Sequence, residues 1–237
     1  MVEQTEVPHA GAAGRRLGFW AAALTAALTA AAFAIGITTL PLSGPSCTAN
    51  CVVYPYREVA NLVPHDYIWM YPAILLMGIF VVLLACLHQA AAENRRLYSL
   101  LALVFGAMAA LLLAADYYIQ IAALQPSILR GEWEGAALIT QYNPHGIFIA
   151  LEELGYLLMS LAFLFAGLAF AHVARLERAI RWLLIGGALA VFAVYAAQRV
   201  IYGLDLEYRF EVTAIAINWT LLIVLGILLS IWFRRRA

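Results

Sequence analysis

The stretch NPHGIFIALEELGY, residues 143–156, opens as a loop and continues as an apolar helix carrying two adjacent carboxylates, Glu152 and Glu153. An ionised carboxylate in an apolar span is too costly to stand alone, so it needs a counter-charge, a proton or a polar pocket. A carboxyl placed in this way is a candidate general acid, general base or proton carrier. Glu152 shares a helical face with Tyr156 and Ser160 at i+4 and i+8. Glu153 is turned from it by about 100°. Glu152 is therefore expected to be the principal acid, and Glu153 to line the same pocket or to snorkel towards the headgroups.

Three other apolar segments carry polar residues at a matching depth. DYYIQ puts Asp116 and Gln120 on one face, with Tyr117 and Tyr118 beside them. YAAQRVIYG supplies Tyr195, Gln198, Arg199 and Tyr202, and Asn218 follows Glu211 on a similar face. Arg199 is the basic residue placed to answer Asp116, Glu152 or Glu153, so at least one salt bridge to it is expected. Three acids against one arginine leave a carboxyl without a counter-charge. The expected catalytic set is Glu152 as acid or base, Arg199 as an anion or carboxylate partner, and Asp116 as the orienting counter-charge. Glu153, Tyr156, Tyr117, Gln120, Tyr195, Gln198 and Asn218 are expected to line the pocket, with His145 at its rim. The central expectation is that Glu152 faces both Asp116 and Arg199.

His65, Asp66, His145 and these acids could ligate a metal, but they form neither HExxH nor a repeated His motif, so no metal site is assigned. The residues leave any cofactor unidentified. SCTANC spaces Cys47 and Cys51 for either a local bridge on an oxidising side or two free thiols. Pro-His precedes both the second apolar run (VPHDYIWMYP) and the fourth (NPHGIFI), an echo too short to establish a repeat. Tyr54, Tyr56, Tyr67, Trp69 and Tyr71 read as one aromatic belt, and Trp20, Trp182 and Trp232 as the opposite one.

The elements that must hold this polar layer are legible as apolar runs. Of 237 residues, 65% are hydrophobic and 12% charged, about half the charge usual in a soluble domain. Six runs, residues 18–40, 69–91, 98–124, 146–170, 180–201 and 212–233, are each long enough to cross a hydrocarbon core of about 30 Å. The expected fold is all-α, a polytopic membrane protein with six transmembrane helices in a compact bundle. A cytoplasmic N-terminal tail (1–17) and a basic C-terminal tail (234–237) flank the transmembrane domain (18–233). The first run has the basic start of a signal peptide, but its length favours retention.

All fourteen basic residues are arginine. Ten of them (Arg15, Arg16, Arg95, Arg96, Arg175, Arg178, Arg181, Arg234, Arg235 and Arg236) fall at one set of span ends. Four (Arg57, Arg130, Arg199 and Arg209) fall at the other. This asymmetry predicts both termini inside, in a cytoplasmic (inner) membrane. The formal net charge of zero gives no reason to expect a nucleic-acid partner. Membrane lipid and a small or amphipathic ligand are the expected partners, with oligomerisation or a protein partner open. The inner halves of the third and fourth runs are almost free of polar side chains, which argues against a constitutive channel. Three readings follow: a membrane-embedded acid–base enzyme with an exterior-half pocket, a proton-coupled small-solute transporter, or a structural or accessory subunit.

Overall fold

The computed structural model describes residues 11–39, 42–45, 47–171 and 174–236. Residues 1–10 of the expected N-terminal tail, Leu40 of the first run and Ala237 of the basic tail lie outside the described residues. The helices are α1 (Ala12–Gly36), α2 (Met70–Ala90), α3 (Arg96–Ile119), α4 (Gln125–Leu129), α5 (Ala136–Ile139), α6 (Ile147–Ala169), α7 (Arg175–Tyr202) and α8 (Tyr208–Arg235). The described residues contain no strand. Among the described residues six helical segments are long and apolar enough to cross a membrane, and they correspond to the six apolar runs. Several begin earlier than hydropathy suggests. Arg15 and Arg16 ride on the start of α1, and Glu211 lies in the first turn of α8.

The helices alternate in direction. One end of the bundle gathers Arg15 of α1, Leu87 of α2, Ser99 of α3, Phe170 after α6, Glu177 of α7 and Arg236 after α8. Helices α1, α2, α3, α6 and α8 close a ring through successive neighbour contacts, and α7 packs mainly on α6 and α8 from outside it. The Ala- and Thr-rich face of α1 makes a close approach to α8. Thr25 and Thr29 satisfy their hydroxyls on the carbonyls of Ala21 and Thr25 in the same helix. Gly226 completes the approach, because a Cβ there would stand 2.7 Å from the Ala22 carbonyl oxygen.

The ring is plugged by aromatics of α1, α3, α6 and α8 and by one that immediately precedes α2. Phe33 of α1 meets Trp219 of α8 at 5.8 Å between centroids, and Trp219 meets Trp69 at 6.0 Å. Trp69, immediately before α2, meets Tyr117 of α3 at 5.0 Å. Tyr156 of α6 closes the set through hydrogen bonds. Tyr67 and Trp69 are thus buried rather than part of an interfacial belt.

Both ends of the bundle are tied by polar contacts. At the arginine-rich end, the last carbonyls of α6 have no helical partner. Arg95 Nη1 donates to Leu168 and Phe170, and Arg181 Nη1 to Gly167, Leu168 and Phe170. At the other end, α3 runs into a π-turn, Gln120–Leu124, before α4. Pro126 accounts for the change of pitch, since it lacks the N–H an α-helical register requires and its ring crowds the preceding turn.

Candidate functional site: a buried layer of carboxyls and phenols

Beside the aromatic plug, α3, α6 and α8 bring three acids together. Glu152 is 0% exposed and Asp116 1%. Tyr117, on the α3 turn that carries Asp116, donates its hydroxyl to Glu152 Oε1 at 2.6 Å. The Tyr117 and Tyr156 hydroxyls are 2.9 Å apart, and Trp219 Nε1 donates to the Tyr156 oxygen at 3.0 Å. Each phenol has a single proton. Since Tyr117 spends its own on Glu152, Tyr156 must donate to Tyr117. The chain therefore has one direction, from the Trp219 N–H through Tyr156 and Tyr117 to Glu152.

Glu152 Oε2 and Glu211 Oε2 are each buried without a hydrogen-bond partner, and the two carboxyls are near enough for a charge on one to oppose a charge on the other. Ionised carboxylates only accept, so a proton on one of the two relieves that conflict. Asp116 lies within electrostatic range of both, and its Oδ2 is buried without a partner. Below the layer, Asn218 Oδ1 accepts from Ser160 Oγ at 3.4 Å, while Asn218 Nδ2 is buried and unpaired.

Arg199 makes the expected salt bridge, but not on the side of Glu152. Its Nη2 lies 3.3 Å from Glu153 Oε2, so Glu152 does not face Arg199. The reason is the placement of α7 outside the ring, where a side chain meets the outer face of α6. Glu152, about 100° round the helix, faces inward to α3 and α8. Tyr195 belongs to this outer contact: its hydroxyl accepts from Arg199 Nε at 3.2 Å and its ring packs edge-on against Phe210. Gln198 also stays with the α7–α8 edge, its Nε2 reaching the Arg209 carbonyl at 3.4 Å. Half-open pairs of this kind contribute about 0–1 kcal/mol. Arg199→Gln is therefore expected to change thermal stability in detergent only within that range. A loss of several kcal/mol would show that Arg199 holds the inner acids after all.

This end of the bundle is covered by its connectors. Gln120 does not face a pocket: its Nε2 donates to the Ile139 carbonyl at 2.5 Å and its Oε1 accepts from the Gln141 N–H at 3.1 Å. Tyr142 donates to Asp66 Oδ2 at 2.6 Å, and Asp66 Oδ1 lies 2.9 Å from His65 Nδ1. Burial, and then this bond to Asp66, push the Tyr142 hydroxyl well above its ordinary range, so it stays a donor. Tyr208 bridges Ser43 at 2.7 Å and the Gln141 carbonyl at 3.0 Å. Cys47 and Cys51 are disulfide-bonded within the first connector. His145 is exposed, and only its backbone N–H is held, by Asn143 Oδ1. Among the described residues no three His, Cys, Asp or Glu side chains are grouped to hold a metal.

Glu211 and Trp219 are the members that hydropathy alone passes over. Glu211 falls just before the apolar run, and its signal is the seven-residue spacing to Asn218. Trp219 has no polar periodicity to mark it. A cavity of about 410 Å³ lies at the opposite, arginine-rich end, away from the carboxyl layer. Comparison with protein-family models, curated proteins and solved structures finds no match to this chain.

Proposed function

We propose that this is an integral multi-pass membrane protein that binds and releases protons at the Asp116–Glu152–Glu211 layer. In this reading the exchange is coupled to movement of a small or amphipathic solute. The supporting observation is the fully buried Glu152 at the end of a directional chain of donors, with the partnerless Oδ2 of Asp116 and Oε2 of Glu211 in the same layer. Buried acids without a cation among them are characteristic of proton-handling sites in membranes. Neighbouring carboxyls in an apolar layer accommodate one charge far more readily than two. The Arg199–Glu153 pair stands outside this group and leaves it without a cation.

An acid–base enzyme would use the same Glu152, with Asp116 and Glu211 as its partners, but it needs substrate-sized space beside the acid. The full burial of Glu152, Tyr117 and Tyr156 supports the proton-coupled reading over it. The ten-to-four division of arginines favours both termini on the cytoplasmic side of an inner membrane. The bridged cysteines, at the opposite end, would then face an oxidising compartment.

Infrared difference spectroscopy of the reconstituted protein, stepping the bulk pH, tests the proposal. A carboxyl C=O band should appear and disappear with pH and be lost in both Glu152→Gln and Glu211→Gln. A spectrum unchanged by either substitution would sink the proposal and leave a layer that only locks helices together.

A further inference from the structure

The cavity at the arginine-rich end reaches between the helices towards the carboxyl layer. Its innermost lining residues are Leu84 on α2, Ala102 on α3 and Ala166 on α6. From Ala166 to Glu152, and from Ala102 to Asp116, is fourteen residues in each helix, about 21 Å. The bonded pair Ser160 and Asn218 divides that distance, Ser160 standing six residues or about 9 Å beyond Ala166. Between them is an apolar plug. Phe80, Gly106 and Ala162 each lie four residues past the cavity lining of their helix. Phe80 and Phe163 meet edge-on at 6.0 Å between centroids, and both are buried. The tip of Leu84 rests on the bare backbone of Gly106, in the space that a Cβ there would take.

Leu84 therefore has a seat on one side and open space on the other. The void it borders measures about 410 Å³, so its end can turn between staggered rotamers without any helix moving. A hydrocarbon constriction excludes water while narrow and admits it when widened. Beyond the plug, Asn218 Nδ2 is a fully buried donor without a partner, which an entering water would satisfy. The opposite end of the bundle is closed by connectors bonded through Gln120, Tyr142 and Tyr208. We propose that the cavity is the vestibule by which water and protons reach the carboxyl layer from the arginine-rich end, with Leu84 on Gly106 as its gate. The proposal rests on the proton-exchange reading and gives that exchange a direction.

Thiol labelling follows the route. Cys86→Ala removes the free thiol, the other two cysteines being bridged, and Asn218→Cys then places a reporter beyond the gate. The full chain in nanodiscs is treated with a small charged methanethiosulfonate, and every variant is checked for helicity and monodispersity. Gly106→Ala puts a methyl group in the seat and displaces only the Leu84 tip, since Phe80 and Ala162 stand at 3.4 and 3.6 Å. Leu84→Ala removes the gate itself. The two change volume in opposite senses, so an effect they share does not come from a void. Leu113→Ala, at a buried site packed on Gly155, is the control for general loosening.

Labelling should be slow in the reporter background and about tenfold faster in both Gly106→Ala and Leu84→Ala. Ala169→Phe or Ala90→Phe, each filling the vestibule, should return both variants to the slow rate. With Asn218 intact, the Glu152 carboxyl band should answer a pH step several-fold faster in Gly106→Ala and several-fold slower in Ala169→Phe. Fast labelling in the background, no acceleration by either opening variant, acceleration that survives both fillers, or equal acceleration by Leu113→Ala would each overturn the gate. A band present in the parent but indifferent to Gly106→Ala would overturn the vestibule as the proton route and leave proton exchange standing. A silent band with labelling as expected would remove proton exchange and keep the gated water route.

Discussion

Glu152→Ala is expected to lower stability by about 2–4 kcal/mol, whereas Glu152→Gln should remain within about 1 kcal/mol of the parent. The alanine variant removes the acceptor at the end of a buried donor chain. Tyr117 then has a hydroxyl proton with nowhere to go, and the loss propagates to Tyr156 and Trp219 because each donor was oriented by the next. The deleted methylenes also leave a void between α3, α6 and α8. Glutamine keeps both features: its carbonyl oxygen can accept from Tyr117, and its side chain fills the same volume. Equilibrium unfolding in mixed micelles separates the two variants. If alanine and glutamine are equally harmful, the donor chain does not end on Glu152 as described. The pair also divides stability from function, since glutamine should preserve the first while removing proton exchange.

Gly226→Leu should be the most damaging substitution in the apolar body of the protein, at about 3 kcal/mol or more, with loss of monodisperse material in detergent. The atoms a side chain would meet are the Ala22 carbonyl oxygen at 2.7 Å, Ala26 Cβ at 2.8 Å and Ala26 N at 2.9 Å. Backbone and Cβ atoms cannot rotate aside, so α1 and α8 must separate as a unit. That separation would also pull on Phe33 and Trp219, which sit on the same two helices and help plug the ring. Gly78 supplies the control, because it lies in α2 where an added Cβ would meet nothing within 4 Å. Gly78→Ala should be neutral or slightly stabilising, as expected for Gly→Ala in an exposed helix interior. Thermal unfolding of the two variants side by side checks the claim, and comparable losses would show that helix propensity rather than the α1–α8 approach governs Gly226.

Much of this molecule can be read from local pattern. The apolar runs declare six helices because a span of given thickness demands a given length of chain. The position of Glu152 on the face of Tyr156 and Ser160 follows from the helical period alone, and all three are indeed buried. The depth shared by Asp116, Tyr117, Glu152, Tyr156 and Asn218 is likewise a matter of counting residues from the ends of their helices.

Which helix each face meets is a different kind of information. Arg199 carries the right charge for Glu152 at the right depth, yet it reaches Glu153, because α7 lies outside the ring of five. Gln120 has the periodicity of a pocket residue and is spent on holding the lid at Ile139 and Gln141. Glu211 enters the layer only because α8 closes against α6, and Trp219 because that closure aims its indole at Tyr156. The cavity at the arginine-rich end exists where six helix ends fail to fill the space between them, and no one segment encodes that. Faces made of alanine and leucine pack almost equally well on many neighbours, so they carry little record of the partner they chose. Period and length are properties of a single helix and can be counted along the chain. Neighbour identity is a property of the whole bundle, decided by the few glycines, aromatics and hydrogen bonds that fit only one arrangement.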